Sequence, residues 1–415
     1  MFTDNNFIEL KSKTNKHSSY TRWLTFLGTL LAQFSLGSVY TWSLFNSQFA
    51  TRLHTTIPNV AFTFGILCLC LAFASCFAGS LQERFGVKLL TIVSGIALCV
   101  GLGLTGVSSN LTMLWFFGGV LVGLADGIGY LLTLTNCIRW FPERKGVISA
   151  FSIGCYGLGS LVFKFINVDL LRHYPLNNAL LLWGGITGVL CIIGGLLMTN
   201  APHQTVKVND GEPQKDYTLG EAICKSQYWF LFVMFTSAMM GGLYIIGIAK
   251  DIAQTMIHLD GLTAANAVTV VAVANLLGRL VMGILSDKLR IIRVITFGQV
   301  ILLLGICILN FTHANEWTFF FAIACVAFNF GGHLTTFPSL VAEFFGLNNV
   351  TKNYGVIYLG FGIGSFFGSV IASLFGGFMS TFLVIFALTT LSIILSVSIK
   401  RPPATDEGAD IPFGL

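Results

Sequence analysis

The chain has 415 residues, 54% of them hydrophobic and only 10% charged, with 45 Gly and 38 Phe. So few charges could not keep a water-soluble domain of this length in solution, so the composition specifies a polytopic membrane protein whose surroundings are the lipid bilayer. The formal net charge of +5 is scattered through short turns rather than clustered, which argues against nucleic acid as a partner.

Residues 1–21 are polar and mildly basic, carry Lys11, Lys13 and Lys16, and contain no apolar stretch, so they read as a cytoplasmic tail and not a secretory signal. Apolar runs follow near 22–45, 59–80, 88–107, 111–138, 146–166 and 177–199, each able to cross about 30 Å of hydrocarbon as a helix. A polar stretch over 200–226 reads as a cytoplasmic linker. The pattern then resumes near 227–249, 262–286, 291–311, 315–342, 353–377 and 379–399, ahead of a second tail over 400–415. The expected fold class is an all-α membrane protein of twelve transmembrane helices, arranged as an N-terminal six-helix half over 22–199 and a C-terminal one over 227–399. All 23 Lys and Arg but five fall in the tails, linker and loops on the side of the amino terminus. Arg52, Lys164, Arg172 and Lys250 lie on the other side, and Arg279 is inside a helix. This asymmetry places both termini in the cytoplasm, with the chain integral to the plasma membrane, the inner membrane of a bacterium. The ten cysteines sit almost all within apolar runs, with no paired spacing beyond Cys68-x-Cys70, and read as small buried hydrophobes.

A charged turn, Gly79-Ser80-Leu81-Gln82-Glu83-Arg84-Phe85-Gly86-Val87-Lys88, separates the second and third runs, and a degraded copy, Gly283-Ile284-Leu285-Ser286-Asp287-Lys288-Leu289-Arg290, ends the eighth. The offset of about 204 residues recurs between Gly37-Ser38-Val39-Tyr40 and Gly241-Gly242-Leu243-Tyr244, and within one residue between Gly157-Leu158-Gly159-Ser160 and Gly362-Ile363-Gly364-Ser365. Six crossings return the chain to its starting side, so the repeated halves run parallel, an arrangement that usually carries a substrate site near mid-membrane depth.

The loop signature Gly-x-Leu-x-Asp-Arg-x-Gly-x-Arg/Lys is matched by Gly79, Leu81, Glu83, Arg84, Gly86 and Lys88, with Glu for Asp, and on these residues the chain resembles the major facilitator superfamily over about 22–400. Within it, Gln33 to Trp42, Arg139 to Gly146 and Asn353 to Tyr358 are similar to the oxalate/formate antiporter family. The resemblance implies a secondary active carrier working by alternating access, with no cofactor, no enzymatic activity, and a monomer as the working unit. No nucleophile and base, carboxylate pair or phosphate loop is visible in the sequence.

Arg279 lies about 12 Å along its helix from the turn at Asp287, well inside the membrane. A cation at that depth usually faces a polar cavity or a partner, and its planar fork suits a carboxylate. The resemblance gives this place to the arginine that binds the substrate carboxylate; a structural ion pair is the alternative. Asp126 is the only acid deep in an apolar run and reads equally as a counter-ion of Arg279, a proton carrier or a packing hydrogen-bond acceptor. The superfamily's fourth-helix arginine is replaced by Gly119. His333 shares a helix face with Asn329 and is either a hydrogen-bonded packing residue or a group that titrates and contributes to coupling. Tyr40, Tyr130, Tyr156 and Tyr358, on spans one, four, five and eleven, are candidate substrate contacts together with Asn329 and His333, although aromatic rings in a bundle are core packing by default.

At the charged turns, Gly79, Glu83, Arg84, Gly86, Lys88, Asp287 and Lys288 are expected to gate transport by pairing across the halves and with helix ends, or else to serve topology alone. Where oxalate-handling relatives are expected to carry a lysine in the eleventh span, this chain has Gly360-Phe361-Gly362. One buried cation suits one carboxylate, so the expected substrate is a small monocarboxylate such as pyruvate, lactate or formate, moved by anion exchange or with protons. Efflux of unrelated small molecules and a non-transporting nutrient sensor are the alternatives; the linker and second tail are short for the effector region a sensor needs.

Overall fold

The computed structural model describes residues 4–55, 57–202, 216–255, 257–259, 261–311, 315–374 and 378–402. Residues 203–215 of the expected linker and 403–415 of the second tail therefore lie outside the described residues.

Helix α1 spans Asp4–Leu36 and continues as a 3-10 segment, Gly37–Phe45, into the short α2, Asn46–Arg52. It thus begins within the stretch expected as a tail. Helix α3, Ile57–Gly106, holds two membrane passes, because Gly86 has φ 77° and ψ 160° and breaks the helix. Thr63 and Thr105 near its two ends both come to within 3.2 Å of the space beside Gly118, although a straight helix would separate them by about 60 Å. The chain therefore folds back at Gly86, where Val87 N–H donates to Asn200 Oδ1 at 2.8 Å. A side chain at Gly86 would meet a left-handed backbone penalty and the Asn200 amide at 2.9 Å.

The fourth pass combines α4, Leu111–Leu114, a π-helical stretch, Trp115–Leu121, and α5, Val122–Trp140. Asn110 starts it by accepting from Met113 N–H at 2.9 Å. Helices α6, Lys145–His173, and α7, Leu176–Leu197, complete the first half of the chain, and Pro175 separates them. Lys164 and Arg172 ride on the final turns of α6, which runs past the expected end at residue 166. In the second half, α8, Leu219–Ile223, precedes α9, Ser226–Thr255, α10, Gly261–Lys288, and α11, Ile291–Phe311. Helix α12, Glu316–Phe345, opens on an Asn315–Thr318 capping box and stops at Gly346, whose φ is 92°. The eleventh pass is divided at Tyr358 into α13, Val350–Ile357, and α14, Leu359–Leu374, and α15, Phe378–Ser398, closes the series.

Nine stretches among the described residues have the length and hydropathy of membrane spans. One of them, Phe62–Gly106, is the double pass folded at Gly86, and the interrupted first and eleventh passes bring the crossings to twelve.

The chain divides into two compact units: Met1–Ala74 with Ser80–Phe141 and Phe151–Pro202, and Ser75–Gly79 with Pro142–Ala150 and His203–Leu415. In the first, the core is built on fully buried Trp42, Trp183 and Phe163, with Phe45 stacked on Trp183 at 5.1 Å. Trp183 Nε1 donates to Ser38 Oγ at 3.0 Å. Buried Asn136 ties α5 to the end of α7 by donating to Thr199 O at 3.0 Å and accepting from Ala201 N–H at 2.9 Å. In the second unit, an apolar cluster with Ile245, Leu302, Ile306, Phe319, Ile323 and Phe382 packs α9, α10, α11, α12 and α15 together.

Because only glycine adopts the Gly86 backbone readily, Gly86→Ala is expected to destabilise the protein by about 1–2 kcal/mol. Thermal unfolding in detergent measures this, and an unchanged midpoint would mean that the fold-back does not depend on Gly86.

Candidate functional site

In the first unit, Asp126 on α5 and Tyr156 on α6 meet in the interior. Tyr156 OH donates to Asp126 Oδ2 at 2.7 Å, Asp126 is 0% exposed, and its Oδ1 has no hydrogen-bond partner among the described residues. Tyr40 and Tyr130 each set an edge against the Tyr156 ring at 5.2 Å, at interplanar angles of 73° and 76°. The three tyrosines expected from sequence thus form one cluster centred on Tyr156, with the carboxyl of Asp126 attached to it. Gln33 of α1 braces the cluster from behind, donating through Nε2 to Tyr130 O and Thr133 Oγ1, both at 2.9 Å.

In the second unit, Arg279 of α10 is 4% exposed and donates through Nε to Asn275 Oδ1, one helical turn earlier, at 3.0 Å. That bond fixes the plane of the guanidinium relative to its own helix. Asn329 of α12 is fully buried, and neither its Oδ1 nor its Nδ2 has a partner among the described residues.

His333 Nδ1 lies 3.0 Å from the Asn329 carbonyl and Nε2 lies 3.0 Å from Gln299 Nε2. A carbonyl can only accept, so Nδ1 carries the proton and Nε2 accepts from the Gln299 amide. This arrangement satisfies both ring nitrogens with a single ring proton, and the ring stacks on Phe337 at 5.4 Å. Tyr358, at the division between α13 and α14, is 2% exposed among Phe235, Tyr354 and Phe361, with the Phe361 ring nearly parallel at 5.2 Å.

The charged turns take different roles. Asp287, at the end of α10, accepts from Gly146 N–H at 2.7 Å and Val147 N–H at 2.9 Å, so its two oxygens cap the first turn of α6. A Cβ at Gly146 would overlap the Gly283 carbonyl, so this contact requires glycine. Gly79 is equally close to α13, where a Cβ would lie 2.8 Å from Lys352 N. Gly86 makes the fold-back in α3, and Arg84 extends over the Phe85 ring at 5.2 Å. Glu83, Lys88 and Lys288 share these turns, Glu83 and Lys88 on either side of the Gly86 break and Lys288 as the last residue of α10.

The model of the Major Facilitator Superfamily matches residues 23–251 and 230–413. The chain belongs to the Major Facilitator Superfamily. It is 62% identical over 345 residues to the uncharacterized MFS-type transporter YhjX of Escherichia coli (strain K12), covering 83% of this chain and 86% of that one. It is 25% identical over 394 residues to the oxalate:formate antiporter of Oxalobacter formigenes, covering 92% and 93%. It is 22% identical over 350 residues to monocarboxylate transporter 12 of Rattus norvegicus, covering 76% and 71%. As a member of this superfamily, the chain is a membrane transporter of helical fold and not an enzyme.

Two residues next to the expected set escape a reading by residue type. Asn275 was detectable through its spacing, since a polar residue four positions before Arg279 shares its helix face. Gln299 was not, because its partner is on another helix. Gln299→Leu leaves His333 Nε2 buried without a donor, which is expected to cost about 1–3 kcal/mol. The readout is the unfolding midpoint, and an unchanged value would show that His333 does not depend on this bond.

Proposed function

We propose that this transporter moves a small monocarboxylate, such as pyruvate, lactate or formate, across the bacterial inner membrane by alternating access, with both termini in the cytoplasm and a single chain as the working unit. The observation that carries the reading is Arg279, a cation 4% exposed within the apolar stretch Thr269–Lys288. A cation taken out of water needs an anion or a set of dipoles, and a guanidinium meets a carboxylate with two parallel hydrogen bonds. Asn275 acts as its positioning residue by holding Nε. Asn329 and Tyr358 are assigned as further substrate contacts within the second unit, and the hydroxyls of Tyr40, Tyr130 and Tyr156 are assigned that task within the first. His333 is assigned a structural role, supported by its two hydrogen bonds.

Two lines support one carboxylate rather than two. Two relatives are named an oxalate:formate antiporter and a monocarboxylate transporter, and the chemistry those names share is that of small carboxylates. The eleventh pass carries Gly360-Phe361-Gly362 where a second cation would be needed to hold a dicarboxylate. An unpaired second negative charge in a dry site would cost several kcal/mol.

Uptake of labelled pyruvate, lactate, formate and oxalate into liposomes holding the purified protein tests the reading. Arg279→Gln is expected to abolish uptake. Asn275→Ala, which removes one oriented hydrogen bond of about 1 kcal/mol, is expected to raise the half-saturating concentration about fivefold with less effect on maximal rate. Normal transport by Arg279→Gln, or a preference for oxalate over the three monocarboxylates, would sink the assignment.

A further inference from the structure

We propose that the first unit carries a binding site for one anionic phospholipid, with the lipid phosphate held by Arg52 and an acyl chain laid along the seam between α3 and α7. The site is separate from the carboxylate site above and does not depend on it.

Arg52 is the last residue of α2, which follows the first pass and so lies on the membrane side opposite the start of that pass. It is exposed and lines a pocket of about 510 Å³ together with Gln48, Thr51, Leu176 and Asn177. Its Nη1 donates to Gly106 O and to Asn177 Oδ1, both at 2.6 Å. These acceptors are neutral, and no carboxylate among the described residues pairs with this cation. Two bonds through one nitrogen hold the guanidinium against the end of α3 and the start of α7, while Nη2 and Nε keep their protons for a further acceptor. A fixed fork with donors to spare fits a phosphate, whose oxygens take parallel charge-assisted hydrogen bonds. Gln48 adds a neutral amide donor in the same pocket.

A soluble anion would satisfy the cation too, and the surface beside the pocket is what selects a lipid. From Asn177, α7 continues with Leu182, Ile186, Val189, Ile193 and Leu196, each 38–56% exposed and together one face of the helix. The second pass of α3 exposes Val93, Ile96, Val100 and Val107 at the same kind of spacing. Glycines draw these two helices together: a Cβ at Gly103 would meet Leu181 Cδ1 at 3.3 Å, and one at Gly184 would meet the Cys99 carbonyl at 2.9 Å. Beside Gly185, one turn after Leu181, no neighbouring atom lies within 4 Å of where a side chain would begin. The two apolar stripes therefore flank a close seam with a notch at Gly185, a seat for an acyl chain. Leu182 lies about 8 Å along the helix axis from Asn177. The polar layer on each face of a bilayer is about 5–8 Å thick. The pocket is thus at headgroup level and the notch at acyl-chain level, in the order in which a phospholipid joins its two parts.

The experiment titrates the purified full chain in detergent with phosphatidylglycerol and counts bound lipid by native mass spectrometry, with phosphatidylcholine as the zwitterionic control. Wild type is expected to take up one phosphatidylglycerol saturably, more weakly as salt is raised, and to prefer it to phosphatidylcholine. Arg52→Gln is expected to weaken this binding at least about tenfold, because a charge-assisted contact is lost. Gly185→Leu fills the notch and leaves Arg52 in place; it is expected to weaken lipid binding with no loss of thermal stability, since leucine favours a helix interior over glycine. This second variant decides the matter should Arg52→Gln fail to fold.

Equal binding of the two lipids by wild type, or unchanged phosphatidylglycerol binding by either variant, would overturn the proposal. Inorganic phosphate or pyruvate that displaces the lipid at equal concentration would overturn it as well, by making the pocket a site for free anions. None of these outcomes bears on whether Arg279 binds a carboxylate.

Discussion

A charge inside an apolar helical bundle must be matched by polar groups from the protein or its cargo, and this constraint organises the interior of the molecule. Arg279 meets part of the requirement within its own helix, where Asn275 holds Nε at 3.0 Å. Asp126 meets part of it across helices, through Tyr156 at 2.7 Å. These hydrogen bonds orient the two side chains, Arg279 against its own helix and Asp126 against α6.

The same constraint separates Arg279 from other polar residues that looked similar in sequence. His333 has both ring nitrogens engaged, by the Asn329 carbonyl and the Gln299 amide, and it stacks on Phe337. Gln299 also reaches the Met234 carbonyl at 3.3 Å, so this bond network joins α12, α11 and α9. A network of this kind resists rearrangement, because breaking any one bond leaves a buried polar group exposed to hydrocarbon and protein. It holds the helices in position beside Arg279 on α10.

Helix ends follow a related rule in the charged turns. The first backbone N–H groups of α6 have no intrahelical acceptor, and Asp287 supplies two carboxylate oxygens to them. The bond is possible because Gly146 lets the backbone of α6 approach Gly283. Glycines at these turns thus have two duties: Gly86 turns the chain, and Gly79 and Gly146 admit a neighbouring backbone. Asp287 and Gly146 act as one device although they lie in different stretches of the sequence.

By itself the sequence determined the twelve crossings, the internal repeat and the position of Arg279 inside a helix, because hydropathy, self-similarity and an isolated charge are local properties that the bilayer reads one segment at a time. The tertiary structure decided what local pattern leaves open: the 3-10 segment carrying Tyr40, the division of the eleventh pass at Tyr358, the gathering of Tyr40, Tyr130 and Asp126 around Tyr156, and the pairing of His333 with Gln299. Each of these depends on the rotation and depth at which two helices meet, and those are set by packing among residues far apart in the chain.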